Sequence, residues 1–283
     1  MDHVTLNKIG SHVYWLPPDS TTDRPVLGAV VGERATLLVD AGNSPAHAHL
    51  LLDEVAQRRL TPPQFLVLTH WHWDHVFGTS AITLPTFAHV ETRRRVEEMA
   101  NLDWSDTALD ARVTSGQEIE FCRDMIKAEL PDRRNLTLHP PEIGFTDRVE
   151  LDLGDLRAHL IHVGGDHAAD SIIVYVPQDR VVFVSDCLSP DLYHRPPIYT
   201  TQRLFPLIDR LLACEADYYL FGHAPEPMPR SELAAYTNRL KTLGQTVERL
   251  GDDRPAILAA LGQRLDEDDL EDIDCFLAGL RPD

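Results

Sequence analysis

The stretch Phe65-Leu66-Val67-Leu68-Thr69-His70-Trp71-His72-Trp73-Asp74-His75 passes from apolar to metal-capable side chains without a break. Its first half is uncharged and rich in branched and aromatic residues, which predicts a buried strand. Its second half sets three imidazoles and one carboxylate within six positions at the mouth of that strand. In extended backbone alternate side chains share a face, so His70, His72 and Asp74 are expected to point one way and His75 to approach from the side. Trp71 and Trp73 then face away and pack beneath the loop. One short loop of this kind can feed two adjacent cations. Imidazoles suit zinc and related transition ions, a carboxylate offsets their charge, and no core needs so dense a cluster.

The flanking sequence alternates strands with helices, an α/β layout without repeats or low-complexity linkers. Val26 to Val31 and Ala35 to Val39 read as paired strands ending at Asp40-Ala41-Gly42, after which Ser44-Pro45 caps a helix reaching about Arg59. From Glu91 to about Leu138 the chain turns charged and partly helical, which predicts a lid or insert. Strands resume at Val149 to Leu151, Ala158 to Val163, Ser171 to Val176, Val181 to Ser185 and Tyr218 to Phe221. Near Pro229 the pattern changes to amphipathic helices: Leu233, Tyr236, Leu240, Leu243, Val247 and Leu250 behind a Ser231 cap, a short helix opened by Pro255, and Leu270, Ile273, Leu277 and Leu280. A catalytic domain over 1–229 and a helical extension over 230–283 are expected, the extension packing on the core or at a homodimer contact.

Later strand ends supply further ligands. His167 sits in the glycine-loosened loop after Val163-Gly164-Gly165, where it can turn towards a neighbouring loop as a third imidazole for a first metal. Asp186 ends the apolar run Val181 to Ser185, a costly place for an unpaired charge and a good one for a bridging ligand. Tyr218-Tyr219-Leu220-Phe221-Gly222 delivers His223 in the same way.

These residues together resemble the metallo-β-lactamase superfamily, from about Gly10 to Pro229. The family signature T-H-x-H-x-D-H stands intact as Thr69 to His75, Gly78 falls at the following glycine, and Asp40-Ala41-Gly42 and Phe221-Gly222-His223 match the early aspartate-glycine turn and the last ligand strand. The resemblance implies an αββα sandwich. It places His70, His72 and His167 on one metal, Asp74, His75 and His223 on the other, and Asp186 between them. A carboxylate at Asp186 is more like the thioesterase and lactonase branches than the cysteine-bearing β-lactamases. Ala168 departs from the threonine that often follows the third histidine and removes a hydroxyl there.

The chemistry implied is that of a dinuclear hydrolase, with two zinc ions, or iron or manganese, acidifying a shared water to about neutral and polarising an ester, lactone, thioester or amide carbonyl. Asp74 is assigned a second role as the acceptor that orients the attacking water. A mononuclear iron sulfur-dioxygenase of the same superfamily is the alternative; β-lactamase and phosphodiesterase activities rank below it.

The chain has 283 residues, 43% of them hydrophobic, enough for a large core. Its 26 Lys and Arg against 45 Asp and Glu give a net charge of −19. That disfavours nucleic acid and anionic membranes and favours a small-molecule substrate. The acidic run from Asp266 to Asp274 weakens the case for a glutathione thioester, which calls for basic residues. The start, Met1 to Asn7, lacks a basic segment followed by an apolar run and no membrane span is evident, so a soluble cytoplasmic protein is expected. Four cysteines, Cys122, Cys187, Cys214 and Cys275, are scattered and read as thiols. In the loop after Asp186, Tyr193 and His194 are the candidates to contact substrate. His3, His12, His47, His49, His89, His139, His159 and His162 are read as solvent-facing or locally bonded.

Overall fold

A computed structural model of the protein describes residues 5–262 and 265–280. Met1 to Val4, and with them His3, lie outside the described residues. Among the described residues one sheet contains β1 (Asn7–Ile9), β2 (Val13–Leu16), β3 (Leu27–Val31), β4 (Thr36–Val39), β5 (Pro63–Val67), β6 (Thr86–His89) and β7 (Ile143–Phe145), side by side in chain order. The first four pair antiparallel and the rest parallel. A second sheet runs β8 (Arg148–Asp152), β9 (Arg157–His162), β10 (Ile172–Val176), β11 (Val181–Ser185), β12 (Tyr218–Phe221) and β13 (Met228–Pro229). Its pairings are antiparallel except β11 with β12.

Parallel neighbours need crossovers, and helices provide them. In the first half these are α1 (Pro45–Gln57), α2 (Trp73–Val76), α3 (Val90–Met99), α4 (Asp106–Thr114) and α5 (Glu120–Glu129). In the second it is α6 (Thr201–Ala213), between β11 and β12, while α7 (Arg230–Leu250), α8 (Arg254–Leu261) and α9 (Glu267–Gly279) follow the last strand. Ser44 caps α1 as expected, its Oγ accepting from the His47 N–H at 3.0 Å with Pro45 at the first helical position. Helix α7 begins at Arg230 rather than behind Ser231, because Pro229 closes β13 and leads directly into it.

Three apolar clusters correspond to the three interfaces of a four-layer αββα sandwich. Between the sheets lie Leu37, Val39 and Val67 of one and Val174, Val181 and Phe183 of the other. Outside the first sheet, Leu38 and Leu66 meet Leu51 of α1, Val96 of α3, Leu109 of α4 and Ile126 of α5. Outside the second, Val182 and Val184 meet Leu204 and Leu207 of α6, Leu240 and Leu243 of α7, and Phe276 of α9. Alternate residues of β4 and β11 thus enter different interfaces, which explains why both strands are apolar without a polar face. The stretch expected as a lid or insert forms α3 to α5 and packs in the outer layer of the first sheet. The apolar stripes of α7 and α9 are buried against α6 and the second sheet. No helix among the described residues is long and apolar enough to cross a membrane.

Candidate metal centre

Strand β5 ends at Val67, and two residues later the chain leaves extended geometry: His70 to His72 form a loop and α2 begins at Trp73. This corrects the expected alternation. Asp74 does not share a face with His70 and His72, because a helical turn swings it to the side of His75 instead. The four ligand candidates of this loop therefore divide into two pairs.

His70 and His72 meet His167, which arrives from the β9–β10 loop. The ring centroids of His72 and His167 are 4.4 Å apart and those of His70 and His72 4.6 Å. Asp74 and His75 meet Asp186, at the end of β11, and His223, just past β12. Within each group the potential ligand atoms all lie within 4.8 Å of one another. Asp186 Oδ2 belongs to both neighbourhoods: it is 2.9 Å from His75 Nε2, 3.5 Å from His223 Nε2, 3.8 Å from His70 Nε2 and 3.9 Å from His167 Nε2.

The strand ends are tied together by polar side chains. Asp40, in left-handed backbone at φ 62° after β4, accepts from the Thr69 N–H at 2.7 Å and the Thr69 hydroxyl at 2.8 Å. Its Oδ2 also faces His75 Nδ1 at 2.8 Å, which turns His75 Nε2 towards Asp74 and Asp186. The Thr69 hydroxyl is 2.9 Å from that of Ser185, and the Ile172 N–H donates to the Thr69 carbonyl at 2.9 Å, so the two sheets are pinned at the site. His167 Nδ1 lies 3.2 Å from the Pro190 carbonyl. Gly222 matters because of space: a Cβ there would stand 2.0 Å from Asp186 Oδ1.

The two groups differ in charge. Burial holds His70, His72 and His167 below the usual imidazole range, reinforced for His70 and His72 by neighbouring imidazoles, so all three are neutral and carry a free lone pair. Their Nε2 atoms are buried and have no hydrogen-bond partner. Three buried, converging lone pairs without a protein partner are what a transition ion needs. In the second group burial alone would lower His75, but the carboxylates of Asp74, Asp40 and Asp186 overcome it and hold the ring charged. His223 is raised in the same way by Asp186 and Asp74. Without a metal, protons on these two rings supply the positive charge that the carboxylates demand. The residues present fit a metal site.

The other predicted residues fall as follows. The Tyr193 ring lies against His72 at 5.4 Å and Trp71 at 5.5 Å, while its hydroxyl faces Cys122 Sγ at 4.0 Å. His194 is engaged locally, its Nδ1 2.6 Å from the Pro196 carbonyl. Trp73 is buried against Phe77, whereas Trp71 is only half-buried and stays beside His72. His47 corrects an expectation: it is 1% exposed, on the inner face of α1, and burial pushes it down to about 3. Sequence reasoning gave no role to Asp23, whose carboxylate stands 3.4 Å from His223 Nδ1, nor to Ser185. Neither lies in a motif; only tertiary contact reveals them.

Comparisons with known proteins bear on the family and the fold. The profile of the metallo-beta-lactamase superfamily matches residues 22–246. The type 2 metallo-beta-lactamase of Bacteroides fragilis is 22% identical over 162 residues, which cover 57% of this chain and 51% of that protein. The linear primary-alkylsulfatase of Pseudomonas sp. (strain ATCC 19151) is 24% identical over 207 residues, 64% of this chain and 38% of that protein. This chain thus spans about half, or less, of the curated relatives it matches. Among solved structures, a metallo-beta-lactamase from Pontibacter korlensis superposes with a TM-score of 0.58 at 19% identity, over 83% of this chain and 97% of that one. The inverting sec-alkylsulfatase Pisa1 from Pseudomonas sp. reaches 0.67 at 15% identity, over 98% of this chain and 50% of that one. At such identities structural likeness speaks for the fold alone. A profile match of that extent, on a fold that brings both residue groups to adjoining strand ends, makes the chain a member of the metallo-β-lactamase superfamily.

Proposed function

We propose that the chain is a metal-dependent hydrolase that directs water onto the carbonyl of a small-molecule ester, lactone, thioester or amide. In this reading His70, His72 and His167 hold one ion, Asp74, His75 and His223 a second, and Asp186 lies between. The observation that supports it most is that a single oxygen, Asp186 Oδ2, lies 2.9 to 3.9 Å from imidazole nitrogens of both groups. Ions held this way, with zinc the first choice for such donors, supply Lewis acidity and a water acidified from about 15.7 to about 7.

The chain's own residues do the rest. The neutral imidazoles of the first group present lone pairs, and Asp186 contributes a shared negative charge. Asp74 Oδ2, 3.0 Å from His75 Nε2 and 3.2 Å from His223 Nε2, would be a ligand of the second ion and the hydrogen-bond acceptor that orients the attacking water. Trp71 and Tyr193, whose rings touch that of His72, also form one wall of a cavity of about 490 Å³ that Trp104 and Met99 line together with the charged Arg95, Arg112 and Glu118. It is large enough for a small organic molecule, with aromatic walls for an apolar part and charged side chains for a polar one. Tyr193 takes part through its ring, with His194 farther along the same loop.

A second reading, hydrolysis of a sulfate ester, draws on the sequence likeness to the linear primary-alkylsulfatase, 24% identical over 64% of this chain. The test is a panel assay on metal-free protein reloaded with zinc, iron or manganese, against a lactone, a thioester, an aryl ester, a β-lactam and a primary alkyl sulfate. Acyl hydrolysis by the reloaded protein alone is the expected result. Oxygen uptake with a persulfide and no hydrolysis would replace this reading with the iron oxygenase.

A further inference from the structure

We infer that Asp23 is a positioning residue that holds His223 ready to ligate the second ion, an assignment that rests on the paired-centre reading above. His223 is the loosest of the seven candidate ligands: 40% of its side chain is exposed, against 8% or less for its neighbours Asp74, His75 and Asp186. It follows a strand end and a glycine, so neither packing nor regular backbone fixes its ring. Its Nε2 points at Asp74 and Asp186, at 3.2 and 3.5 Å. For that nitrogen to offer a lone pair, the ring proton must sit on Nδ1, and Nδ1 is 3.4 Å from Asp23 Oδ1. Asp23 Oδ1, at ion-pair distance, is the negative charge that faces this nitrogen and favours a proton on it.

Elsewhere in the same centre the nitrogen opposite the ligand position meets a closer acceptor. His75 Nδ1 faces the Asp40 carboxylate at 2.8 Å and His167 Nδ1 the Pro190 carbonyl at 3.2 Å. Asp23 and Asp40 also share left-handed backbone, with φ of 58° and 62°. That conformation costs a residue other than glycine about 1 kcal/mol and persists only where the surroundings enforce it.

Around Asp23 the enforcement is plain. Asp19 and Arg24 exchange backbone hydrogen bonds at 3.0 and 2.9 Å. Arg24 donates from Nε and Nη2 to Glu129 of α5 at 3.2 and 2.8 Å, and Asn43 Nδ2 donates to the Thr22 carbonyl at 2.7 Å. On the far side the Val26 N–H donates to the Gly222 carbonyl at 2.6 Å, so the loop is bonded directly to the residue before His223. Asp23 and His223 therefore keep a fixed separation although both lie in loops.

The experiment titrates metal-free protein with Co²⁺, following the visible absorption of the bound ion, in wild type, Asp23→Gly and Asp23→Asn. Glycine removes the carboxylate and relieves the left-handed backbone, so a purely conformational role for Asp23 predicts no loss from it. Asparagine keeps an acceptor oxygen and tolerates that backbone. The expected result is two ions in wild type, a first ion of unchanged affinity in both variants, and a second ion weakened about 10- to 100-fold in Asp23→Gly and less in Asp23→Asn. Two ions bound by Asp23→Gly as tightly as by wild type overturn the assignment while leaving the paired centre standing. Equal losses in the two variants overturn it by making Asp23 a ligand. A wild type that takes up a single ion overturns the paired centre itself, and the role of Asp23 with it.

Discussion

Replacing Gly222 with alanine perturbs the shared carboxylate without removing any of the seven candidate ligands. The added Cβ would lie 2.0 Å from Asp186 Oδ1 and 3.0 Å from its Cγ. Carbon and oxygen settle at about 3.3 Å, so one of the two must give way by about 1.3 Å. Gly222 cannot retreat: its N–H donates to the Ser185 carbonyl at 3.1 Å and its carbonyl accepts from Val26 at 2.6 Å. Its φ lies outside the left-handed region, so alanine meets no backbone penalty and the carboxylate must move. A shift of about 1 Å at a reacting centre costs on the order of 100-fold in rate, and a disturbed ligand about 10- to 100-fold in metal affinity. The overpacking itself costs about 1–3 kcal/mol of stability. The assay compares metal retained after dialysis, the urea midpoint and kcat/KM of wild type and Gly222→Ala. Gly144→Ala is the control, since the atoms its Cβ would meet belong to Val90, at 3.1 Å, and Arg93, neither a candidate ligand. Full metal content and a kcat/KM within about twofold in Gly222→Ala, below the roughly 100-fold loss expected, would refute the shared role of Asp186.

Further outcomes follow from the same geometry. Asp74→Ala is expected to lower kcat by about 10²- to 10⁴-fold with an unchanged circular dichroism spectrum; near-normal turnover removes Asp74 from the chemistry. Asp40→Asn leaves an amide among three donors, those of Thr69 and His75, and should cost about 1–3 kcal/mol by urea unfolding; no measurable change would show that Asp40 does not tie the strands. Burial pushes the Asp170 carboxyl up to about 6 from 3.8, so the folded chain binds that proton more tightly than the unfolded one. Wild-type stability therefore falls as pH rises from about 4 to about 6 and then levels off. Asp170→Asn keeps an acceptor for the Thr92 hydroxyl and lacks that loss, so it should match wild type near pH 4 and exceed it by about 2–3 kcal/mol at pH 8. A difference independent of pH would contradict this.

Much of the centre is legible in the chain because its residues are chemically out of place. Asp186 ends five buried residues of β11, and His70 follows an apolar strand; neither needs a neighbour to look conspicuous. The pairing of those residues is less legible. Alternation along an extended chain put Asp74 with His70 and His72, and a single helical turn at Trp73 moved it to the other group. Supporting residues are harder still, since Asp23 and Asp40 work through left-handed backbone and contacts made 200 and 35 positions along the chain, with His223 and His75. The buried strands are legible from their apolar runs and the αββα layering from the family resemblance, whereas the packing of α3 to α5 is not, because their buried residues are sparse among charges: only Thr92, Val96 and Met99 in α3, and Leu109 alone in α4.

The most direct test of the account is anomalous diffraction from crystals of zinc-loaded protein, recorded on both sides of the zinc absorption edge. Two peaks about 3.5–4 Å apart are predicted, one among His70, His72 and His167, the other among Asp74, His75 and His223, each in reach of Asp186. A single peak, or none within either group, would contradict it.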